Sequence, residues 1–260
     1  MAAGDGGVPP AGDAPGAGFG DNHRGQAGDA MNTAAIILAG GRGARANTAG
    51  PKQFADLAGV PVLVRTVLAF LRVPEVDGLV VVAPPDGVDR TRILLDEHAV
   101  PNGIDVVPGG GTRQSSALAG IERVAFRGDH DTVLIHDAVR PLVDPAVIAA
   151  VIRAIPATGA AVAGSPVTDT LLVVRDGAAV DATPREGLYH ARTPQGFRLS
   201  LIRDAHRRAL AEGRIDASDD VQLVLRLGVA ATVVPCGPEN LKITLASDLR
   251  LAHALLATRE

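Results

Sequence analysis

A chain of 260 residues, 47% of them hydrophobic, can fill one large α/β core without help from a metal or a disulfide. Its single cysteine, Cys236, excludes a disulfide framework and a cysteine-based metal site. A net charge of −4 argues against nucleic acid as a partner. No apolar run approaches the ~18 residues of a membrane span, so cytoplasm is the expected compartment.

Residues 1–31 are rich in Gly, Ala, Pro and Asp and nearly devoid of large apolar side chains. Such a segment cannot bury enough surface to offset its ordering entropy, and it is read as a disordered extension. It lacks the basic and apolar regions of a signal peptide. Met31, directly before the first strand, is an alternative start to Met1. The folded domain is expected over residues 32–260.

From there strands and helices alternate. Strands are predicted at Ala34–Leu38, Gly78–Ala83, Ile104–Val107, Thr132–His136, Ala160–Gly164 and Ala231–Pro235. Helices are predicted at Val62–Leu71, Arg90–Glu97, Arg113–Ala125, Pro145–Ile155, Leu199–Ala211 and Asp219–Leu227, and a last one follows Ser247 as N-cap. This alternation implies a mainly parallel sheet covered on both faces, with ligands beyond the carboxyl ends of the strands. One segment breaks the pattern. Within residues 168–190, Leu171–Val174 and Ala178–Val180 flank Asp176-Gly177 and read as a β-hairpin projecting from the sheet. Projecting hairpins often serve as dimer arms.

The first apolar strand runs into Ala39-Gly-Gly-Arg-Gly-Ala-Arg45, and Pro51-Lys52 closes the loop. Gly40, Gly41 and Gly43 let the backbone approach a ligand, while Arg42, Arg45 and Lys52 supply cations, a combination suited to phosphates. No Gly-Lys-Ser/Thr closes the run, so it is not a Walker loop. Gly41-x-Gly43-x-x-Ala46 fits the dinucleotide fingerprint only loosely. Asn47 to Pro51 would break its helix, and no acid ends the next strand. Of 25 Lys and Arg residues only Lys52 and Lys242 are lysine. In so arginine-biased a chain, they mark places where a compact ammonium is needed.

A second glycine stretch, Gly109-Gly110-Gly111, leads into the helix at Arg113 and offers N–H donors at a helix N-terminus. Ser115 or Ser116 could bond a base or ribose, or bond back within the helix. In the third motif, His136-Asp-Ala-Val-Arg140, Asp137 suits a hydroxyl acceptor or a water-bridged Mg²⁺ ligand, and Arg140 suits bidentate phosphate binding. His136 is read as structural, facing away from Asp137 by strand alternation. Thr170 and Thr193 are small hydroxyls near strand ends. Lys242 is expected in a strand with Leu241 and Ile243 on its other side.

In order, Leu-Ala-Gly-Gly-x-Gly-x-Arg with Pro-Lys-Gln, Gly-Gly-x-x-Arg-Gln-x-Ser, His-Asp-Ala-x-Arg-Pro, Thr-Pro-Gln and Asn-Leu-Lys-Ile-Thr occur between Thr33 and Ala257. The set resembles the 2-C-methyl-D-erythritol 4-phosphate cytidylyltransferases of non-mevalonate isoprenoid synthesis. The resemblance implies a doubly wound, Rossmann-like nucleotidyltransferase fold, a homodimer with exchanged arms, and Mg²⁺. By motif match, Arg45, Lys52 and Lys242 would hold the CTP phosphates, and Ala39, Gly40, Gly41, Gly110 and Ser116 would complete the CTP site. Asp137, Arg140, Thr170 and Thr193, with Arg185 from the partner arm, would bind the polyol phosphate. The family's acidic residue at the position of Gly111 is missing here. A ribitol-5-phosphate cytidylyltransferase, which shares the fold and the CTP site, is the nearest rival. A dinucleotide-dependent oxidoreductase is a more distant one.

Overall fold

The computed structural model describes residue 1, residues 32–41 and residues 51–258. The expected disorder of the N-terminal extension, and the loop cations Arg42 and Arg45, lie outside the described residues.

In chain order the elements begin with β1 (Thr33–Leu38), the small hairpin β2 (Asp56–Leu57) and β3 (Val60–Pro61), α1 (Val62–Leu71) and β4 (Val76–Ala83). There follow α2 (Val88–Glu97), β5 (Asp105–Pro108), α3 (Arg113–Arg127), β6 (Thr132–Asp137), α4 (Pro145–Thr158) and β7 (Ala160–Pro166). The chain continues with β8 (Leu171–Arg175), β9 (Ala178–Thr183), β10 (Tyr189–Arg198), α5 (Leu199–Ala211), α6 (Asp220–Arg226), β11 (Thr232–Pro235) and α7 (Ala246–Ala257).

Seven strands form one sheet in the order β11-β7-β10-β6-β1-β4-β5. Every pairing is parallel except those of β10, which runs antiparallel to both β6 and β7. β1 and β6 are buried at every position, as continuous apolar strands covered on both faces should be. Alternation along them divides the core. Ala35, Ile37 and Leu134 pack with Leu63, Phe70, Ile148 and Ile155 of α1 and α4. Ile36, Val133 and Ile135 pack with Ala117, Ile121 and Ile202 of α3 and α5 on the other face. The approach of α3 to β1 is close. A Cβ on Gly120 would lie 2.5 Å from Ile36 Cγ2, so glycine is what lets α3 sit this near to β1.

Three expectations are corrected. The Asn240–Thr244 segment, expected as a strand, belongs to no sheet. It is pinned instead by Ile243 N–H donating to the Val139 carbonyl at 2.8 Å. The predicted alternation survives, with Leu241 and Ile243 turned into a small cluster with Leu57, Val62 and Leu142 and Lys242 turned outward. Ser247 does not cap the last helix, which starts at Ala246 with Leu245 in the N-cap position, two residues before the expected cap. Asp248 Oδ2 takes the free N–H groups of Thr244 and Leu245, each at 2.7 Å. Thr193, expected near a strand end, lies inside β10, a strand that was not among those predicted.

The hairpin β8–β9 forms its own two-stranded sheet, with Asp176 and Gly177 at φ 49° and 80° as a type I′ turn requires. Every residue of both strands is exposed, Leu172 and Val174 at 59% and 58%.

Candidate active site

The carboxyl ends of β1 and β6 define the site. Leu38 and Asp137 are register partners, so Ala39, Gly40 and Gly41 leave the sheet beside Asp137. Gln53, buried in the turn after Lys52, donates to the carbonyls of Ala39 at 2.8 Å and Gly41 at 3.2 Å and holds that strand end from behind. On the other side β5 ends at Pro108, and Gly109 N–H donates to Ala83 O at 2.8 Å. The second glycine stretch therefore meets the first. A Cβ on Gly40 would lie 3.2 Å from Ser116 Oγ, and one on Gly109 would lie 2.8 Å from it.

Both helix serines bond locally. Ser115 closes a reciprocal cap with Thr112. Ser116 Oγ donates to the Thr112 carbonyl at 2.9 Å and accepts from Gly110 N–H at 3.2 Å. Ser116 is the one that faces Gly40. Space at Gly111 is open, with no atom within 4 Å of a Cβ built there.

Asp137 is buried and faces three cations: Arg140 Nε and Lys242 Nζ, each 3.1 Å from Oδ2, and Arg113 Nε, 3.5 Å from Oδ1. Burial alone would raise its pKa, but Lys242, Arg113 and Arg140 outweigh burial and hold the carboxyl well below the usual range. One anion among three cations leaves the cluster positive, which suits a further anion. Both carboxylate oxygens face cations. Among the described residues no group of three or more His, Cys, Asp or Glu side chains is placed to hold a metal ion.

Lys52 Nζ donates to the Thr244 carbonyl, and Lys242 lies two residues before it. The chain's only two lysines are thus mounted on one segment. Thr193, buried on β10, accepts the Asp137 backbone N–H at 3.2 Å. His136 is structural as expected. It is fully buried, lies against Phe70 with ring centroids 4.9 Å apart, and meets the Arg140 carbonyl at 3.2 Å; burial lowers its pKa to about 3.

The site thus brings together Ala39, Gly40, Gly41, Lys52, Gly110, Ser116, Asp137, Arg140, Thr193 and Lys242. Arg45 lies outside the described residues. Thr170 and Arg185 are exposed at the base of the hairpin, and Arg185 donates to the Thr168 carbonyl rather than to any of these groups.

Residues 33–258 match the family of 2-C-methyl-D-erythritol 4-phosphate cytidylyltransferases. The chain belongs to this family. It is 43% identical over 241 residues to the 2-C-methyl-D-erythritol 4-phosphate cytidylyltransferase of Acidobacterium capsulatum, covering 88% of this chain and 99% of that one. A crystal structure of 2-C-methyl-D-erythritol 4-phosphate cytidylyltransferase from Thermus thermophilus superposes with a TM-score of 0.72 at 34% identity, over 87% of this chain and all of that one (100%). The 4-diphosphocytidyl-2C-methyl-D-erythritol synthase of Anaerococcus prevotii gives a TM-score of 0.76 at 29% identity, over 88% and 97% of the two chains.

In this member of the cytidylyltransferase family, a second tier of residues supports the site. Arg113 Nη1 lies 2.7 Å from Asp220 Oδ2, and His206 Nε2 lies 3.0 Å from Asp220 Oδ1, with both Asp220 and His206 buried. Burial would raise the Asp220 pKa, but Arg113 and His206 reverse that and keep the carboxyl below its ordinary value. Asn240 Nδ2 donates to the Thr193 carbonyl at 2.8 Å, and the Asn240 backbone carbonyl accepts Arg140 Nη1 at 2.9 Å. Gln195 Oε1 accepts the Val221 N–H at 3.0 Å and anchors α6 on β10. Of these, Arg113, Gln195 and Asn240 stand in the quoted sequence motifs, whereas His206 and Asp220 left no trace there.

Proposed function

We infer that this chain transfers the cytidylyl group of CTP to 2-C-methyl-D-erythritol 4-phosphate, giving 4-diphosphocytidyl-2-C-methyl-D-erythritol and pyrophosphate. The observation that carries this reading is the convergence of Lys242, Arg140 and Arg113 on Asp137, with Lys52 bonded to the Thr244 carbonyl two residues beyond Lys242, beside loops built from Gly40, Gly109, Gly110 and Ser116.

The nucleophile is a phosphate monoester, mostly dianionic near neutral pH because its second pKa is about 6. It needs no general base. An acceptor phosphate oxygen forms a bond to the α-phosphorus of CTP, the bond to the β-phosphate breaks, and the electron pair leaves with pyrophosphate. The protein's contribution is to place cations where charge builds on the α-phosphate. Lys52 and Lys242 take that part, with Arg45 as the third cation implied by the family's motif. Gly40, Gly41, Ala39, Gly110 and Ser116 seat the nucleotide. Asp137 accepts a polyol hydroxyl, its low pKa keeping it an acceptor, and Arg140 and Thr193 complete the acceptor pocket. Asp137 is the carboxylate that could meet a Mg²⁺ ion through water, and the ion would supply charge neutralisation of the triphosphate and of the leaving pyrophosphate.

Exposed apolar residues on both strands of the hairpin favour a homodimer, since an isolated two-stranded hairpin is marginal in water. Thr170 and Arg185 would then reach the partner's acceptor pocket. Among the described residues no helix is long and apolar enough to cross a membrane, and two highly charged substrates suit an enzyme of the cytoplasm.

The test is pyrophosphate release with each of CTP, UTP, ATP and GTP against 2-C-methyl-D-erythritol 4-phosphate and ribitol 5-phosphate. Turnover with CTP and the methylerythritol phosphate, at least roughly tenfold above UTP, is the expected result. Preference for ribitol 5-phosphate would reject the acceptor.

A further inference from the structure

Arg192 lies on β10, immediately before Thr193, and is half-buried. Its Nε donates to Ser165 Oγ at 2.9 Å and its Nη1 to the Asn240 carbonyl at 3.0 Å. That carbonyl is the same oxygen that accepts Arg140 Nη1 at 2.9 Å. Two guanidiniums therefore meet on one neutral oxygen. Asp137 offsets Arg140. Among the described residues no carboxylate lies within ion-pairing distance of Arg192, and Glu239 acts on it only from farther away. Bringing two like charges together in a partly buried place is unfavourable unless an anion joins them. Burial first, and then Arg140, lower the Arg192 pKa.

Strand order says which anion. The nucleotide loops leave from β1 and β5, whereas Arg192 stands on the opposite side of β6, between β10 and the end of β7 that leads into the hairpin. This is the acceptor side of Asp137.

We propose that Arg192 and Arg140 form a two-guanidinium seat for the phosphate of the acceptor, with Arg192 a substrate-binding residue beyond those supplied by the motifs. In the free enzyme the Asn240 carbonyl holds both forks in place. On binding, phosphate oxygens take over those donors, each guanidinium offering paired N–H groups that a lysine could not. The proposal rests on the reading of Arg140 as an acceptor-binding residue.

Two measurements on Arg192→Gln, Arg192→Lys and wild type decide it. In steady-state assays, Arg192→Gln should raise KM for 2-C-methyl-D-erythritol 4-phosphate by roughly tenfold or more while KM for CTP stays within about twofold. Arg192→Lys should recover only part of the loss. Separately, inorganic phosphate titrated into nucleotide-free enzyme by calorimetry should bind wild type more tightly than Arg192→Gln by at least roughly fivefold. A rise in the CTP KM alone would move Arg192 to the nucleotide side and overturn the proposal. A parallel rise in both KM values with a fallen Tm would make Arg192 a strut between Ser165 and Asn240, and would also overturn it. If wild type failed to use the methylerythritol phosphate, the functional reading would fall. The phosphate titration would still decide the role of Arg192.

Discussion

Arg113 and Asp220 form the shortest ion pair at the site, 2.7 Å between Nη1 and Oδ2, and the same guanidinium reaches Asp137 from the other side. A buried carboxylate on α6 therefore holds the arginine that faces the candidate acceptor-binding aspartate. Burial would lower the Arg113 pKa, but Asp220 and Asp137 more than reverse it, so the guanidinium stays charged at any working pH. Removing Asp220 leaves Arg113 with only the longer contact to Asp137. Asp220→Asn should lower stability by about 1–3 kcal/mol, less than a fully orphaned buried charge would cost, read as a shift in the urea midpoint. It should also raise KM for the acceptor more than for CTP. Unchanged stability would mean that Arg113 finds its partner elsewhere.

Lys52 is expected to act on the transition state. Lys52→Ala should lower kcat by roughly 10²–10³, about 2.7–4 kcal/mol, the scale for one preorganised electrostatic donor. Lys52→Arg should not restore the rate, because a planar fork does not reproduce a point charge. An active Lys52→Arg enzyme would contradict the argument from lysine scarcity.

The exposed positions of Thr170 and Arg185 lead to a test of shared sites. If Arg185 serves the partner's pocket and Lys52 its own, Lys52→Ala and Arg185→Ala homodimers are each nearly inactive. Co-refolding them produces mixed dimers in about half the cases. Each mixed dimer then has one intact and one doubly damaged site, and roughly a quarter of all sites recover. No recovery on mixing would place Arg185 in its own chain's pocket.

His136 gives a pH signature. The folded protein holds its imidazole neutral, with a pKa of about 3, whereas the unfolded chain takes up the proton near 6.5. Because the folded pKa is the lower one, the unfolded state binds more protons between these values. This stability is present above pH ~6.5 and is lost as pH falls toward ~3. The histidine should account for about 2 kcal/mol of lost stability between pH 7 and pH 5. His136→Gln should show a correspondingly flatter dependence in urea titrations at those two values, and an identical slope would exclude the assignment.

Much of this fold was legible because its central strands are continuous apolar runs and its helices are strongly periodic. The bounds of α1 and α5 follow from the pattern alone. β10 was not legible. Thr193-Pro-Gln-Gly196 carries a proline and a glycine, both poor strand formers, yet a buried slot between β6 and β7 fixes it as a strand. The lysines and glycine loops announced themselves by residue type and local spacing. His206 and Asp220 did not, since they work through partners distant in sequence, as Asp220 does with Arg113; Gln53 and Asn240 stood in quoted motifs, but what they hold, the Ala39 and Thr193 carbonyls, was not legible. The Ser247 cap failed for a related reason. Two acceptors were available at the start of α7, and the carboxylate of Asp248 reached the free N–H groups.

The ladderless stretch from Asn240 to Thr244 couples groups that the sequence keeps far apart. It carries Lys242, receives Lys52 through the Thr244 carbonyl, and is tethered to the last helix through Asp248. A displacement of this one segment would carry both ammonium groups with it. The energetic effects of altering Lys52 and Lys242 should therefore fall short of additivity in a double-mutant cycle. Loosening the tether at Asp248, on a residue remote from the reacting atoms in chemistry, should mimic a partial loss of both.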